Sequence, residues 1–321
     1  MIGRVAAVTD PGRKRRRNED SYVMEPPLFA IADGMGGAQA GEVASRLATA
    51  ALTESGSEAD GEQRIVDLIQ EANRRVYDRS STDPNTSGMG TTITVALVQN
   101  AEVAFGHVGD SRAYLIREAR MEQLTEDHSL VNELIKTGKL SQEEAEVHPQ
   151  RSVITRALGT DPDVDVDTFS VTAQTGDLFL LCSDGLTDMV SENSILDVVK
   201  RHRDDINRAL KALVKEANRG GGQDNITVVA FEIAEDGIGA HDGDTREQAL
   251  PEEDTLTEED GVPVVDTAVI SAERIQAEIA ASERDDRAVR RRHLRRRAVA
   301  WLVVLLLVAA AALVIYLRFV R

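Results

Sequence analysis

Apolar and polar positions along residues 1–235 follow patterns that predict both strands and helices. Six runs of strand length, rich in β-branched or apolar residues and bounded by Gly, Asp or Asn, lie at 5–9, 29–32, 92–98, 102–108, 178–182 and 225–231. Apolar residues at helical spacing predict helices near 43–51, 65–76 and 195–199. Two of the strands meet around Gln99 and Asn100, which predicts a hairpin. Because strands and helices cluster instead of alternating strictly, the pattern is typical of an α+β domain.

The C-terminal end of the chain has a different pattern. Residues 298–317 form a run of 20 residues without a charge, which as a helix would span the ~30 Å hydrocarbon core of a bilayer. A buried core helix is the other interpretation of this run. Eight arginines lie within 284–297, whereas only Arg318 and Arg321 follow the run. Because an excess of positive charge marks the cytoplasmic side, we expect a single transmembrane helix in the cell membrane, a cytoplasmic main domain at 1–235 and a short extracytoplasmic tail at 318–321.

Composition adds detail to this division of the chain. The chain is 42% hydrophobic, as expected of a globular core, and its single cysteine excludes an internal disulfide. Residues 236–283 are acidic and contain few large apolar side chains, which predicts a flexible linker. Residues 284–297 form an Arg-rich juxtamembrane segment that we expect to bind anionic lipid headgroups. A net charge of −18 argues against nucleic acid as a partner, because such binding needs a basic face.

Four aspartates recur where an apolar run meets a turn. Asp33, Asp110 and Asp184 each follow such a run, and Asp224 stands between a glycine-rich turn and the run at 225–231. A carboxylate next to buried strands needs a partner, and hard divalent cations prefer oxygen ligands. Any one of these residues alone is more typical of an ordinary turn aspartate. Their recurrence predicts that carboxylates from distant parts of the chain converge on cations.

Further motifs accompany these aspartates. They are Arg15 with Asn18-Glu19-Asp20-Ser21, Asp33-Gly34-Met35-Gly36-Gly37 with Gly41-Glu42, Gly90-Thr91-Thr92, Gly109-Asp110-Ser111-Arg112, Asp127-His128-Ser129, Ser183-Asp184-Gly185-Leu186 and Gln223-Asp224-Asn225-Ile226-Thr227. Together they resemble the bacterial PP2C (PPM) family of metal-dependent protein serine/threonine phosphatases, over roughly residues 1–235. The resemblance implies a β-sandwich of two antiparallel sheets flanked by helices, with two, and in bacterial members a weaker third, Mn²⁺ or Mg²⁺ ions.

The resemblance also implies a role for each acidic residue. Asp33 would bridge two metal ions, and the carbonyl of Gly34 would bind one of them. Asp184 and Asp224 would hold the other ion. The position of Asp110, together with that of Asp184, matches the third site.

The resemblance also implies roles for residues that would bind the substrate or lie at the outer edge of the site. Glu19 and Asp20 would act through metal-bound water or at the edge of the site. Arg15 stands four residues before Glu19, the family spacing, and would bind the substrate phosphate with paired donors. The neighbouring Arg16 and Arg17 are interpreted as solvated charges.

The implied chemistry is attack by water on phosphorus. Two cations lower the pKa of a bridging water to near neutrality, so no covalent phosphoenzyme is needed. Cys182 is accordingly interpreted as a small buried strand residue. The chain departs from the family at Met35, where animal members have a histidine that serves as general acid, and at Ala38, where many bacterial members have a histidine. The general acid is therefore not identified: a metal-bound water is one candidate, and His128 is a weaker one because it is more typical of a hydrogen-bonded turn residue.

These observations predict a membrane-anchored phosphatase that faces the cytoplasm. It would hydrolyse phosphoserine and phosphothreonine on proteins, and so reverse the action of bacterial serine/threonine kinases on their targets. Residues 131–158 are expected to form a flap beside the site. The alternative function is that of a non-catalytic, membrane-tethered pseudophosphatase that binds phosphoproteins without cleaving them.

Overall fold

A computed structural model describes residues 2–36, 40–56, 59–235 and 268–269. The strands are β1 (Ile2–Asp10), β2 (Asp20–Glu25), β3 (Leu28–Met35), β4 (Gly90–Thr91), β5 (Ile93–Gln99), β6 (Glu102–Val108), β7 (Arg112–Arg117), β8 (Arg120–Gln123), β9 (Val153–Ile154), β10 (Asp167–Thr172), β11 (Leu178–Cys182), β12 (Ile226–Ile233) and β13 (Ala268–Val269). The helices are α1 (Ala40–Glu54), α2 (Gly61–Thr82), α3 (Leu130–Lys136), α4 (Gln142–Glu146), α5 (Asp184–Thr187), α6 (Glu192–Arg201) and α7 (Ile206–Gly220).

Two antiparallel sheets form the centre of the fold. Sheet 1 has the strand order β1-β12-β11-β7-β8. Sheet 2 has the order β10-β6-β5-β3-β2, with β4 paired to β3. The predicted hairpin is confirmed, because β5 pairs with β6 and Asn100 takes a positive φ of 55° in the turn between them.

Side chains that alternate along the central strands build three apolar layers. On β11, Phe179 and Leu181 face the other sheet, whereas Leu178 and Leu180 face the helices that cover sheet 1. This alternation is the period-2 pattern of a strand that is buried on both faces. Between the sheets, Phe231 of sheet 1 stacks on Phe29 of sheet 2 with 4.2 Å between ring centroids. The two sheets are therefore joined by a continuous apolar layer.

Helices cover the outer face of each sheet. Helices α1 and α2 pack on sheet 2 and bury a row that includes Ala44, Ala48 and Leu68. Helices α6 and α7 pack on sheet 1 and bury a row that includes Ile195 and Leu213. The predicted α+β architecture of two antiparallel sheets flanked by helices is thus confirmed. All six predicted strands and all three predicted helices are present, whereas β2, β7, β8 and α7 were not predicted.

The predicted flap, residues 131–158, contains two short helices and one short strand. Its strand β9 pairs in parallel with β13, in the register Ala268 to Val153 and Val269 to Ile154. Strand β13 belongs to the predicted linker at 236–283, most of which lies outside the described residues, as do the segments 284–297 and 318–321. Within the described part of the chain no helix is long and apolar enough to cross a bilayer. The predicted transmembrane helix at 298–317 lies outside that part.

Candidate metal and phosphate site

The predicted acidic residues come together at one edge of the sandwich because of the strand directions. Strands β3, β6 and β11 end at this edge, and their antiparallel partners β2 and β12 begin there. The end of one strand and the start of its antiparallel neighbour share an edge of the sheet. As a result, Asp20, Asp33, Asp110, Asp184 and Asp224 lie within electrostatic range of one another, although they are far apart in sequence.

Asp20 and Asp33 are directly opposite each other on neighbouring strands. They are register partners in the pairing of β2 with β3. Like charges in this cross-strand position destabilise a sheet. Repulsion between these two carboxylates therefore destabilises the fold locally.

The backbone on both sides of Asp33 is fixed by hydrogen bonds. Its N–H donates to Thr92 Oγ1 at 3.0 Å, and its carbonyl accepts from the N–H of Thr92 at 2.9 Å and from Thr91 Oγ1 at 2.8 Å. The next residue, Gly34, is packed so closely that a Cβ there would lie 2.1 Å from the carbonyl oxygen of Gly41. Only glycine fits this position, which holds the strand end close to α1.

Asp20, on sheet 2, and Asp184, just after the last strand residue of β11 in sheet 1, are linked through Ser183. Ser183 Oγ donates to Asp20 Oδ2 at 2.9 Å, and the Ser183 N–H donates to the Thr227 carbonyl at 3.1 Å. Asp184 is the first residue of α5 and is separated from β11 by Ser183 alone. This short connection places the carboxylates of sheet 1 beside those of sheet 2.

Arg15 reaches the same edge from the loop between β1 and β2. Its Nη2 donates to Asp224 Oδ2 at 2.8 Å, and the arginine side chain is 25% exposed. Arg15, Glu19, Asp33, Gly34 and Asp224 line one pocket. Because the guanidinium has five N–H donors, it retains donors for a ligand while it holds Asp224.

A single asparagine fixes the loop that carries Arg15. The Asn225 side chain donates to the carbonyls of Pro11, at 3.0 Å, and Arg17, at 2.8 Å. Its Oδ1 accepts from the Glu19 N–H at 2.7 Å. Both ends of the loop are thus held to the residue that follows Asp224.

Asp110 and Asp184 also line a larger cleft of about 900 Å³. Residues of the flap, among them Val131, Ile135 and Arg151, line the same cleft. The flap therefore borders the predicted third metal position.

The carboxylates at this edge raise one another's pKa. Burial, followed by repulsion from neighbouring aspartates, raises the pKa of both Asp33 and Asp184 well above its usual value. Burial is also the largest cause that raises the pKa of Asp20 to about 6 and that of Asp110 to about 7. Each raised pKa means that the charged form is disfavoured here unless positive charge is supplied.

The donor set fits a hard divalent cation. All its members are carboxylate or carbonyl oxygens, the ligands that Mn²⁺ and Mg²⁺ prefer. Asp20 Oδ1 and Asp184 Oδ1 are buried without a hydrogen-bond partner. As they stand, no three His, Cys, Asp or Glu side chains of the described residues are placed to hold an ion together. The two buried carboxylate oxygens without a partner are therefore the observation that points to a cation at this edge.

The residues considered as proton donors lie in different surroundings. Met35 lines the pocket beside Arg15, and Ala38 lies outside the described residues. His128 is only 5% exposed, and burial, then the nearby Arg156, lowers its pKa. Its Nδ1 accepts from the Gly109 N–H at 3.0 Å. The geometry thus agrees with a hydrogen-bonded turn residue, and no histidine lines the pocket among the described residues.

Several supporting residues were not identified from the sequence. Asn225, Thr92 and Ser183 occur in the quoted motifs, but their bonding partners lie up to 214 positions away and no local pattern predicts them. Asp127 was assigned no role, yet it holds Arg112 beside the cleft with bonds of 2.6–3.0 Å. Cys182 is fully buried, and burial raises the pKa of its thiol to about 12, in agreement with a structural role.

Comparison with known proteins connects this arrangement to a family. The sequence model of the family Protein phosphatase 2C matches residues 15–220. Serine/threonine phosphatase stp of Listeria welshimeri is 42% identical over 236 residues, which cover 70% of this chain and 93% of that protein. Serine/threonine protein phosphatase PstP of Mycobacterium tuberculosis is 39% identical over 238 residues, 73% of this chain but 46% of that longer protein. Protein phosphatase PhpP of Streptococcus pneumoniae is 38% identical over 245 residues, 72% and 98% of the two chains.

Solved structures give the same result. The crystal structure of the M. tuberculosis serine/threonine phosphatase PstP is similar with a TM-score of 0.69 at 38% identity, and the match covers 73% of this chain and all of that one. The PstP catalytic domain in complex with two manganese ions matches with a TM-score of 0.67 at 36% identity, over 73% and 99% of the two chains.

The repulsion at this edge predicts opposite effects of one substitution with and without metal. Asp33→Asn removes a carboxyl group whose ionisation is opposed by burial and by Asp20, so in EDTA at neutral pH the variant should be more stable than the wild type by ~1 kcal/mol, or roughly 2–4 °C in melting temperature. Added Mn²⁺ should raise the melting temperature of the wild type far more than that of the variant, since a ligand stabilises the state that binds it.

Asp197→Asn makes the same chemical change at an exposed position on α6. This control should melt like the wild type under both conditions. An Asp33→Asn protein that is less stable than the wild type in EDTA, or equally stabilised by Mn²⁺, would contradict the electrostatic account.

Proposed function

The chain belongs to the protein phosphatase 2C family and is a protein serine/threonine phosphatase, and from that premise we propose that its reaction takes place where Arg15 meets the acidic edge of the sandwich. The observation that carries this proposal is the shared pocket, in which the arginine adjoins Asp33 and Asp224. A phosphate monoester needs both of these elements, a cationic donor for its oxygens and ligands for cations that offset its charge. Phosphorylated proteins are the substrates.

The cofactors are Mn²⁺ or Mg²⁺, and the homologous PstP catalytic domain has been solved with two manganese ions. We assign Asp33 to both ions, the Gly34 carbonyl to one, and Asp184 and Asp224 to the other. When bound, the ions lower the pKa of water and offset the charge of the phosphate dianion. Asp110, with Asp184, is assigned to a third and weaker site.

The role of this chain's own residues is to bind and orient. Arg15 holds the phosphate with the N–H groups that it does not use for Asp224, and the bonds from Thr91 and Thr92 keep Asp33 in place during the reaction. Glu19 is assigned to the edge of the site, where it lines the pocket. Asp20 lies at the outer shell and is oriented by Ser183.

We further propose that the phosphatase is anchored in the cell membrane with its catalytic domain in the cytoplasm. The support is the uncharged run at 298–317 and the excess of arginines on its N-terminal side. In this position the enzyme would reverse phosphorylation by serine/threonine kinases that act at the membrane. The Arg-rich segment at 284–297 would add attraction to anionic lipids.

Substitution of the metal-binding aspartates tests the assignment and separates it from a non-catalytic role. Asp33→Asn and Asp224→Asn should each abolish nearly all Mn²⁺-dependent hydrolysis of p-nitrophenyl phosphate and of a phosphothreonine peptide, because each removes a ligand charge. Circular dichroism should show the fold retained, and Asp197→Asn should keep full activity. Near-normal rates in either variant would refute the site, whereas a folded, metal-loaded wild type without turnover would favour a phosphoprotein-binding scaffold.

Arg15→Ala tests phosphate binding separately. Loss of a charged, paired donor should raise KM for a phosphopeptide by roughly tenfold or more, with a smaller change in kcat. Arg74→Ala, on the exposed side of α2, is the control for the loss of one arginine. An unchanged KM would show that another group binds the phosphate.

Cell fractionation tests the anchor. The full-length protein should sediment with membranes and resist extraction at alkaline pH. Leu307→Asp combined with Val308→Asp should release it into the soluble fraction, because each central charge costs ~2.5–3.5 kcal/mol on insertion. Recovery of the unaltered full-length protein in the soluble fraction would remove the proposal.

A further inference from the structure

Five consecutive basic residues form the loop that carries Arg15. They are residues 13–17, here called the basic loop, and they stand out in a chain with a net charge of −18. Arg15 enters the pocket, whereas Arg13, Lys14, Arg16 and Arg17 are exposed. The proposed function gives a role to Arg15 alone, and the other four charges have no role in it.

Most of these exposed charges have no anionic partner in the structure. Arg17 lies 3.9 Å from Glu42, at the limit of an ion pair. Arg13, Lys14 and Arg16 form no ion pair with any residue that the structure describes. Like charges this close repel one another, so an anion bound beside Arg15 would be attracted by the whole loop.

The backbone of the basic loop is held in place from both sides. The N–H groups of Arg13 and Lys14 donate to the Gly222 carbonyl at 2.7 and 3.2 Å. Gly12, with a φ of 79°, lets the chain pass so close to the metal-site segment that a Cβ there would lie 2.2 Å from the Asp224 carbonyl oxygen. Together with the two bonds from Asn225, these contacts fix the backbone of the basic loop beside the pocket that Arg15 lines.

The exposed cations of the basic loop immediately flank Arg15 in the chain. Cα atoms two positions apart are at most ~7 Å apart in an extended chain. The Cα atoms of Arg13 and Arg17 are therefore each within about 7 Å of the Cα atom of Arg15, so their charges lie close to a phosphate that Arg15 binds. A broad polyanionic surface fits less well, because carboxylates such as Glu19 and Asp224 line the same pocket.

From this geometry we propose that the basic loop selects substrates in which the phosphoserine or phosphothreonine is flanked by further anionic groups. The anion is a carboxylate of Asp or Glu or the phosphate of a second modified residue, and Arg13, Lys14, Arg16 and Arg17 are the residues that recognise it. The inference rests on the proposed function, because it takes Arg15 as the group that binds the phosphate to be removed.

The test compares matched phosphothreonine peptides on the purified full-length protein with Mn²⁺. One peptide has neutral flanking residues, one has glutamates at the positions one and two residues away, one has lysines there, and one carries a second phosphothreonine two positions away. The measured quantity is the ratio of kcat/KM for each charged peptide to that for the neutral peptide.

The wild type should prefer the glutamate or the doubly phosphorylated peptide by about fivefold, the effect of two or three exposed ion pairs. The preference should act mainly through KM and weaken in high salt. In the triple variant Arg13→Gln, Lys14→Gln, Arg16→Gln the ratio should fall to about one. Because the readout is a ratio, a general change in activity cancels.

The control variant Lys200→Gln, Arg201→Gln, Lys211→Gln removes the same charge from exposed positions of α6 and α7 that do not line the pocket. It should keep the wild-type ratio. A preference for glutamate alone or for the second phosphate alone would identify which anion the loop recognises.

Equal kcat/KM for neutral and anionic peptides, or a preference that survives in the triple variant, would overturn the inference. So would a triple variant that loses only its binding to phosphatidylserine vesicles while its peptide ratio stays at the wild-type value. Failure of the proposed function is distinguishable, since Arg15→Ala would then leave KM for the neutral peptide unchanged.

Discussion

Carboxylates from both sheets meet at one edge of the sandwich, where burial and mutual repulsion oppose their charged state. Asp20 and Asp33 are paired across neighbouring strands, and burial followed by repulsion from Asp110 and Asp224 raises the pKa of Asp184. An apolar core could be built without this arrangement, and the fold would gain stability by its loss. This electrostatic repulsion is offset only if positive charge is supplied at that edge, by Arg15 on one side and by divalent cations at the centre.

The rest of the structure keeps these groups in place against their repulsion. The stacked phenylalanines between the sheets fix the two halves of the site relative to each other. Ser183 then links the halves at the edge, and Asn225 holds the loop of Arg15 to the strand that follows Asp224. A site that gathers charges from distant parts of the chain thus depends on hydrogen bonds that span most of its length.

Sequence patterns predicted those parts of the fold in which burial gives a clear periodicity. Strand β11, buried on both faces, was predicted with its true bounds. Strand β2 was missed because it lies at the edge of sheet 2 and buries only Val23, so its pattern is weak. Helix α7 was missed although Ile206, Leu210 and Leu213 lie at helical spacing, so the signal was present.

The sequence predicted that these residues gather in one place, but it did not predict the contacts that support them. The motifs named each acidic residue and Arg15, and the structure brings all of them to one edge. The pairing of Arg15 with Asp224 and the role of Asn225 arise from tertiary contacts between residues about 210 positions apart. No local pattern carries that information, because it is created only when β12 packs beside β1.

The most direct test of the central claim is a crystal of the protein grown with Mn²⁺ and measured at the manganese absorption edge. The account predicts anomalous density for two ions within coordination distance of the carboxylates of Asp33, Asp184 and Asp224. The absence of anomalous density at this edge of the sandwich would contradict it. So would manganese bound only at other places on the protein, with the three carboxylates still apart from one another.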